Sequence, residues 1–315
     1  MANVVLRVAN EADLPAVLEI SEGIYEGLDY FPYEFLNLLD DPNRTILIAE
    51  MDGKAVGLQV MHVIDEGEAV LAHSLRVHYK YRCQGIGRRL IQESRNYVKA
   101  NFPQVKFERY LTGNDARLAI QKKSDDVPIH EVVYFLCLVN NHLSELSRLK
   151  SYLTDQTIDL KLLNKAELER ILNQDKLRKI LFKEKYIGVR QPYKPLASNI
   201  SNGLFKDGDD AMFVSYSGES VESFSHSRWI QTNSRPQLKS VCYTLNKELL
   251  KIHLLKQLEQ AIQQHPGETF IFLPMIDTSL AKCTTDFLFK EMYLKTLGDE
   301  FKAYYNLYYF EKSLV

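Results

Sequence analysis

The sequence predicts a mixed α/β (α+β) fold in which a mostly antiparallel sheet is flanked by helices. The first observation is the order of segments in residues 4–139: strand, two helices, three strands, a glycine turn, helix, strand, helix and strand. The second is that residues 207–315 show strand, strand, strand, helix, strand, helix and strand, which repeats that order without the glycine turn. Alternating apolar and polar residues indicate the strands, and apolar residues at helical spacing indicate the helices.

The elements of the first half follow from start, stop and turn signals. Asn10 is a suitable N-cap for the first helix. Residues 25–35 are rich in aromatics but broken by a glycine and a proline, which predicts a loop into a second helix that ends near Leu39. The other predicted elements are strands at 4–8, 45–50, 55–64, 69–77, 105–112 and 129–139, and helices at 88–98 and 114–123.

The second half begins after a charged segment. Residues 142–191 have a helical pattern, and Pro192 and Pro195 interrupt it. Strands are then predicted at 211–216, 221–229, 238–245, 269–273 and 304–310, and helices at 247–264 and 278–297. We therefore predict an N-terminal domain at 1–140, a helical linker region at 141–206 and a C-terminal domain at 207–315.

Composition narrows the functional class. The 315 residues suffice for two ordinary domains, and 45% hydrophobic with 25% charged residues is typical of a globular protein. A net charge of -2 gives no reason to expect a nucleic-acid or membrane partner. No long apolar run or signal-peptide pattern occurs. Because Cys83, Cys137, Cys242 and Cys283 lack metal-ligand spacing, we expect reduced thiols, no metal and a cytoplasmic location.

The glycine turn is the most informative motif. The predicted fourth strand runs into a helix through Gly85 and Gly87. A helix start exposes unpaired backbone N–H groups at the positive end of the helix dipole, and glycines let a diphosphate approach them closely. Nearby positive charge comes from Arg82, Arg88 and Arg89. A P-loop would need Lys-Ser or Lys-Thr after the glycines, and a dinucleotide site would need a third glycine, so neither fits.

The run Arg82-x-x-Gly85-x-Gly87, between a strand and a helix, resembles the acetyl-CoA motif of the GNAT superfamily of N-acetyltransferases. The segment order over residues 4–139 is similar to the whole GNAT fold, so the resemblance implies a tandem GNAT fold with a degenerate second half. The segments IYEGLDYFP, LDDPNRTILIAE and LRVHYKYR are similar to those of the histidine N-acetyltransferase group. This resemblance implies an acyltransferase with acetyl-CoA as cosubstrate.

The same resemblance implies where acetyl-CoA binds. The pantetheine arm would lie along the fourth strand and pair with backbone groups of Leu75, Arg76 and Val77. Asn114, at the end of the fifth strand, would add a further contact. The turn residues assigned to the diphosphate are Arg82, Cys83, Gln84, Gly85, Ile86, Gly87 and Arg88. Since the second half lacks the motif, we expect one such site per chain.

His73 is the candidate general base. It lies two residues before Leu75, on the same face of the predicted strand. Histidine titrates near neutral pH and could take the proton of an attacking amine. Arylalkylamine acetyltransferases of the superfamily have a base histidine at what looks like the equivalent position. The alternative is a strand histidine that is only hydrogen-bonded in the core.

The general acid is harder to assign. Many members of the superfamily have a tyrosine in the helix after the fifth strand, which protonates the leaving thiolate. The sequence NDARLAIQKKSDD contains no tyrosine. Tyr134, on the last strand of the first half, is a distant substitute, and protonation by solvent is the alternative.

Candidates for binding the acceptor come from three segments. In the GNAT fold the loop between the first helices lines the acceptor pocket, so Tyr30, Phe31 and Tyr33 would form aromatic walls, with ordinary loop packing as the alternative. On the fifth strand, Tyr110 could face the acceptor. Glu108 on the same strand could pair with the ammonium group of the acceptor, and a solvated charge is the alternative.

A further candidate lies in the second half. Arg228 could bind a substrate carboxylate with its two parallel N–H groups, and a structural ion pair is the alternative.

Together these features predict an N-acetyltransferase that moves the acetyl group of acetyl-CoA to the amino group of a free amino acid, histidine-like, or of a small amine. Direct attack in a ternary complex is expected, because no activated nucleophile is evident near the motif. A homodimer is possible. Two alternatives stay open: an acyltransferase on a peptide or protein amine, and a non-catalytic CoA-binding module.

Overall fold

The computed structural model describes residues 4–113, 126–140, 159–182, 184–298, 302 and 304–315. The first half contains β1 (Val4–Val8), α1 (Leu14–Ser21), α2 (Phe31–Leu39), β2 (Arg44–Met51), β3 (Lys54–Ile64), β4 (Ala69–Val77), α3 (Ile86–Asn101), β5 (Phe107–Gly113), β6 (Val127–Phe135) and β7 (Cys137–Asn140). The rest contains β8 (Lys161–Leu162), α4 (Lys165–Leu172), α5 (Asp175–Arg178), β9 (Asp210–Ser217), β10 (Ser220–Ile230), β11 (Gln237–Tyr243), α6 (Lys247–Gln264), β12 (Thr269–Asp277), α7 (Ala281–Thr285), β13 (Lys295–Thr296) and β14 (Tyr304–Ser313). Short 3-10 turns and two π-helical turns connect these elements.

The predicted elements are found with three corrections. The predicted strand at 129–139 is two strands, β6 and β7, divided at Leu136. The segment predicted as helical up to residue 191 contains only α4, α5 and a two-residue strand in its described part, because the chain then forms tight turns. The predicted helix at 278–297 gives way to β13 at its end. The helix predicted at 114–123 lies outside the described residues.

The described strands form one sheet, in the order β1-β2-β3-β4-β5-β14-β6-β12-β11-β10-β9-β8, with β7 paired to β12 and β13. Of the described strand pairs, β4–β5 and β11–β12 are parallel and the others are antiparallel. This confirms the predicted mixed, mostly antiparallel sheet flanked by helices. The two parallel pairs are each joined by a long helix, α3 or α6, as a crossover requires.

The last strand of the chain completes the sheet of the first half. On β14, Tyr308 lies opposite Thr112 of β5 on one side and Glu131 of β6 on the other. On its other side β6, a strand of the first half, pairs with β12 of the second half. The largest apolar cluster accordingly contains buried residues of both halves, among them Leu71 and Phe224. The two halves therefore share one sheet and this apolar cluster.

The sheet separates at one place that matters for the site. The strands β4 and β5 are paired only from Ala69 to Leu71, and β4 then diverges toward Val77. The register between β3 and β4 shifts at the same place, and Ser74 there has a positive φ of 56°. In the second half β11 and β12 stay paired over residues 237–241. A gap between the fourth and fifth strands is therefore a feature of the first half.

None of the helices that the structure describes is both long and apolar enough to cross a membrane.

Buried histidines predict a loss of stability in acid. His253 on α6 is fully buried, and its ring nitrogens each lie 2.7 Å from a serine hydroxyl, Ser223 and Ser225. Burial lowers the pKa of His253 to about 3 from 6.5. The unfolded chain therefore binds a proton that the folded chain excludes, and stability falls as the pH drops below 6.5. At pH 5 this one group should cost about 2 kcal/mol relative to pH 8.

Urea unfolding of the protein and of His253→Gln at pH 8 and pH 5 checks this expectation. The variant should lose about 2 kcal/mol less than the unaltered protein between the two pH values. An equal loss in both would show that His253 does not stay neutral in the folded protein.

Candidate active site

A cavity of about 1150 Å³ occupies the gap where β4 and β5 diverge. The part of β4 beyond the last paired residue, from Ala72 to Arg76, forms one wall. One face of α3, with Gly87, Ile91 and Arg95 at helical spacing, forms another. Residues 189–192 and the strands β10 and β11 supply the remaining side. The cavity thus lies between the halves of the chain.

The glycine turn lies at the edge of this cavity. Gly85 is the N-cap of α3 with a φ of 82°, a left-handed conformation that favours glycine, and no side chain caps the helix. The first intrahelical bond at this end is donated by Arg89 N to Gly85 O, so the three preceding N–H groups lack intrahelical partners. Gly87 lines the cavity. This helix start can accept an anion such as a diphosphate.

The arginines around the turn remain available for an anion. Arg82, Arg88 and Arg89 are exposed, and none forms an ion pair within the described ranges. Arg82 Nε donates to the Val77 carbonyl at 3.1 Å, which holds the turn against the end of β4. The other predicted turn residues contribute differently: Cys83 and Gln84 are exposed, whereas the Ile86 side chain is buried.

The corresponding helix of the second half is closed to anions. The side chain of Asn246 caps α6 and accepts from the N–H groups of Glu248 and Leu249, at 2.9 Å and 3.3 Å. These are the groups that a phosphate would otherwise contact. This helix start therefore differs from that of α3, and the β11–β12 pairing beside it is unbroken.

The exposed edge of β4 is suited to an extended ligand. Beyond Leu71 the strand has no partner on the β5 side in the described part of the chain, so its backbone groups there are free to pair. Leu75 is 41% exposed at this edge. The side chain of Arg76, by contrast, is buried in an ion pair with Asp29 and lies 4.7 Å over the ring of Phe31. Arg76 can therefore contribute only its backbone to a cofactor.

His73 belongs to a hydrogen-bonded series of side chains. Its Nδ1 lies 2.9 Å from Ser74 Oγ, which lies 2.7 Å from the Tyr30 hydroxyl. Its Nε2 is buried and has no hydrogen-bond partner among the described residues. Burial, and secondarily nearby basic side chains, lower the pKa of His73 well below 6.5, so the ring is neutral at neutral pH. His73 lines the cavity, and a neutral imidazole with an unpaired nitrogen can accept a proton.

Two predicted acceptor residues do not line the cavity. Phe31 is fully buried in the core beside Phe35, and Tyr33 is 51% exposed. The reason is that α2 already begins at Phe31, so helical spacing directs residues 31 and 35 inward and Tyr33 outward. Of the three aromatics, only Tyr30 lines the cavity.

One further predicted residue lies elsewhere. Tyr134 does not line the cavity and stacks on Tyr305, with ring centroids 5.4 Å apart. Asn114 lies outside the described residues.

The other predicted acceptor residues line the cavity but already have partners. Glu108 Oε2 lies 2.6 Å from Arg95 Nη2, and the Tyr110 hydroxyl donates to Asp126. The guanidinium of Arg228 forms two parallel bonds of 2.6 Å to the carboxylate of Asp210. For Arg228 the structure thus favours the structural ion pair over a free carboxylate site.

Sequence reasoning missed several residues of the site. Gln59, on β3 beside the register shift, lines the cavity and is 4% exposed. Its Oε1 is buried and has no hydrogen-bond partner in the described part of the chain. Ser74 links His73 to Tyr30, and Lys239 and Arg190 reach the cavity from the second half. No sequence motif marks any of these four, since each acts through its place in the folded sheet.

No group of three or more His, Cys, Asp or Glu side chains suited to a metal occurs among the described residues.

Comparison with known proteins agrees with this geometry. Residues 14–120 match the acetyltransferase (GNAT) family, and residues 156–277 match the C-terminal region of histidine N-acetyltransferase. A tandem GNAT protein from the clavulanic acid biosynthesis pathway superimposes with a TM-score of 0.59 over 99% of both chains, at 10% identity. A GCN5-related N-acetyltransferase from Sphaerobacter thermophilus gives 0.58 over 99% of this chain and 96% of that one, also at 10% identity. The protein thus has a tandem GNAT fold.

The sequence is similar to those of histidine N-acetyltransferases. The enzyme of Oreochromis niloticus is 30% identical over 217 residues, which are 64% of this chain and 63% of the relative. The enzyme of Scomber australasicus is 30% identical over the same shares of both chains. The chain therefore matches just under two thirds of the length of these relatives.

Proposed function

We propose that the protein is an acetyl-CoA-dependent N-acetyltransferase that acts on the amino group of a free amino acid, histidine or one like it. The observation that carries this proposal is the continuous path from the uncapped glycine turn, along the unpaired edge of β4, to His73. The turn supports a diphosphate, the strand edge supports a pantetheine arm, and the cavity beyond has room for a small acceptor. The similarity to histidine N-acetyltransferases supports the choice of acceptor.

A residue of this chain, His73, can take the proton of the amine. When Nδ1–H of His73 donates to Ser74, the Nε2 lone pair is left free to take a proton. The neutral amine nitrogen then attacks the thioester carbonyl in a ternary complex and forms the C–N bond of a tetrahedral oxyanion. The nitrogen loses its extra proton to solvent, and the C–S bond breaks as the carbonyl re-forms. A backbone N–H on the free edge of β4 can stabilise the oxyanion. CoA leaves as a thiolate, which solvent protonates, since Tyr134 does not line the cavity.

The test is a thiol-release assay with acetyl-CoA and each standard amino acid, together with biogenic amines and short peptides. We expect release with histidine or another free amino acid, and mass spectrometry should find the acetyl group on its α-nitrogen. Transfer to peptides alone would indicate a peptide or protein amine as the acceptor. Absence of transfer to every amine, despite tight binding of acetyl-CoA, would instead indicate a non-catalytic CoA-binding module.

A further inference from the structure

The charged side chains that line the cavity are mostly paired with an opposite charge. The pairs in the described residues are Arg44–Asp41, Arg76–Asp29, Arg95–Glu108, Arg109–Asp65, Lys206–Glu34, Lys312–Asp126 and Arg228–Asp210. Three lining residues have no ion-pair partner within the same described ranges, and all three are cations. Arg88 lies at the glycine turn, whereas Arg190 and Lys239 come from the far side of the cavity. Arg88 is exposed, whereas Arg190 is partly buried and Lys239 is buried. A cation that folding removes from water without a partner is costly, so the positions of Arg190 and Lys239 favour a bound anion.

Arg190 is held in a tight loop that the fold fixes from two sides. Ile187 and Tyr193 exchange backbone hydrogen bonds of 2.9 Å and 3.0 Å, which close the loop. The Tyr243 hydroxyl accepts from Gly188 N at 2.8 Å and anchors it to β11. Arg190 itself has a φ of 59°, a left-handed backbone conformation that residues other than glycine rarely adopt. Such strain persists where the surrounding structure imposes it, commonly at binding sites.

Lys239 enters the cavity from β11. It is 5% exposed, and its Nζ lies 4.6 Å from the centroid of the Tyr30 ring. The candidate counter-charge, Asp29, is already occupied: Arg76 binds both of its oxygens, and the Phe31 N–H donates to one of them at 3.1 Å. Burial first, and then the neighbouring Arg190 and Arg76, lower the pKa of Lys239 well below its ordinary value. A bound anion would oppose these effects and favour the ammonium form.

We propose that Arg190 and Lys239 bind the α-carboxylate of the acceptor amino acid, so that the second half of the chain selects amino acids over simple amines. This proposal rests on the proposed function. Tyr30 connects the proposed carboxylate site with the candidate base. Its ring contacts Lys239, and its hydroxyl hydrogen-bonds to Ser74, the partner of His73. A small molecule that places its carboxylate beside the two cations can therefore present its amine toward His73. The guanidinium of Arg190 can hold a carboxylate through two parallel bonds.

The diphosphate does not explain these two cations. It is assigned to the glycine turn, where Arg88 and the free N–H groups of α3 lie, and the thioester end of the cofactor would lie along β4. A second anion is thus required on the opposite wall, and the α-carboxylate is the anionic group that an amino acid has and an amine lacks.

The experiment compares histidine with histamine, which has the same imidazole and a primary amine but no carboxylate. The variants are Arg190→Gln and Lys239→Met, and the control is Lys206→Met, which removes a cavity cation that already has acidic partners. Each test variant should raise KM for histidine by about 10–100-fold, the loss expected for a charge-assisted hydrogen bond. KM for histamine should stay unchanged, as should KM for acetyl-CoA. The control should alter neither amine.

Lys239→Met should fold, because replacing an unpaired buried lysine by methionine removes a desolvation cost. If Arg190→Gln does not fold, Lys239→Met carries the test. An unchanged KM for histidine, or equal losses for histidine and histamine, would overturn the proposal. If the unaltered protein transfers acetyl to no amine, the proposed function fails, and calorimetry with CoA present decides the site separately. If histidine binds more tightly than histamine, and the variants lose this difference, the result supports the carboxylate site. Equal binding of histidine and histamine overturns it.

Discussion

Replacing His73 by glutamine is expected to lower kcat by about 10²–10⁴-fold, the usual contribution of a general base. Glutamine keeps a polar side chain of similar length that can still bond to Ser74, but it cannot take a proton from the amine. Its binding of acetyl-CoA should be unchanged, because the glycine turn and the edge of β4 are untouched. Steady-state kinetics at saturating acetyl-CoA, with a calorimetric titration of the cofactor, measures both quantities.

The pH profile separates a base from a merely structural histidine. Because burial lowers the pKa of His73 below 6.5, its neutral form persists to lower pH than in an ordinary histidine. The acid limb of kcat/KM should therefore lie below pH 6.5 and should be absent from the residual activity of the variant. A variant with unchanged kcat, or with the same acid limb as the unaltered protein, would remove His73 from the chemistry.

Replacing Gly87 by aspartate should weaken acetyl-CoA binding by about 100-fold, through lost charge-assisted hydrogen bonds and repulsion of the diphosphate. The variant should nevertheless fold well. A Cβ at Gly87 would meet only ordinary contacts, 3.7 Å to Val77 and 4.0 Å to Leu75. An acid in the first turn also stabilises a helix, and aspartate is a better helix former than glycine. Calorimetric titration with acetyl-CoA and thermal unfolding measure the two effects.

Lys247→Asp is the matched control. Lys247 is the first residue of α6, the corresponding helix of the second half, and it is exposed. An acid there has the same favourable relation to the helix dipole, but it should leave acetyl-CoA binding unchanged because Asn246 already caps that helix. Equal weakening by both substitutions, or no weakening by Gly87→Asp, would show that the glycine turn does not bind the diphosphate.

Much of the first half could be predicted from local sequence. The alternation of residues 69–77 and the two glycines before an amphipathic segment predict a strand, a turn and α3, because each depends on neighbours within a few positions. Asn10 is the predicted cap, and its side chain accepts from Ala12 N at 3.0 Å. His73 could also be selected this way, since its position relative to Leu75 follows from strand periodicity.

The far wall of the cavity could not be predicted in this way. Whether Lys239 contacts Tyr30, and whether Arg190 reaches the same cavity, depends on β14 inserting between β5 and β6, a pairing between distant parts of the chain. Charge partners are equally non-local. The local sequence does not show that Arg228 is paired, because its partner Asp210 lies on the neighbouring strand. Local pattern does not contain such contacts, which is why the acceptor side of the site differed most from expectation.

Binding of acetyl-CoA at the glycine turn is tested most directly by a crystal structure of the protein with CoA bound. The diphosphate oxygens should accept from the backbone N–H groups of residues 86–88, with the pantetheine arm along β4 beyond Ala72 and the thiol on the side of His73. Density for CoA at the start of α6, or a cofactor that avoids the gap between β4 and β5, would contradict this assignment and the function built on it.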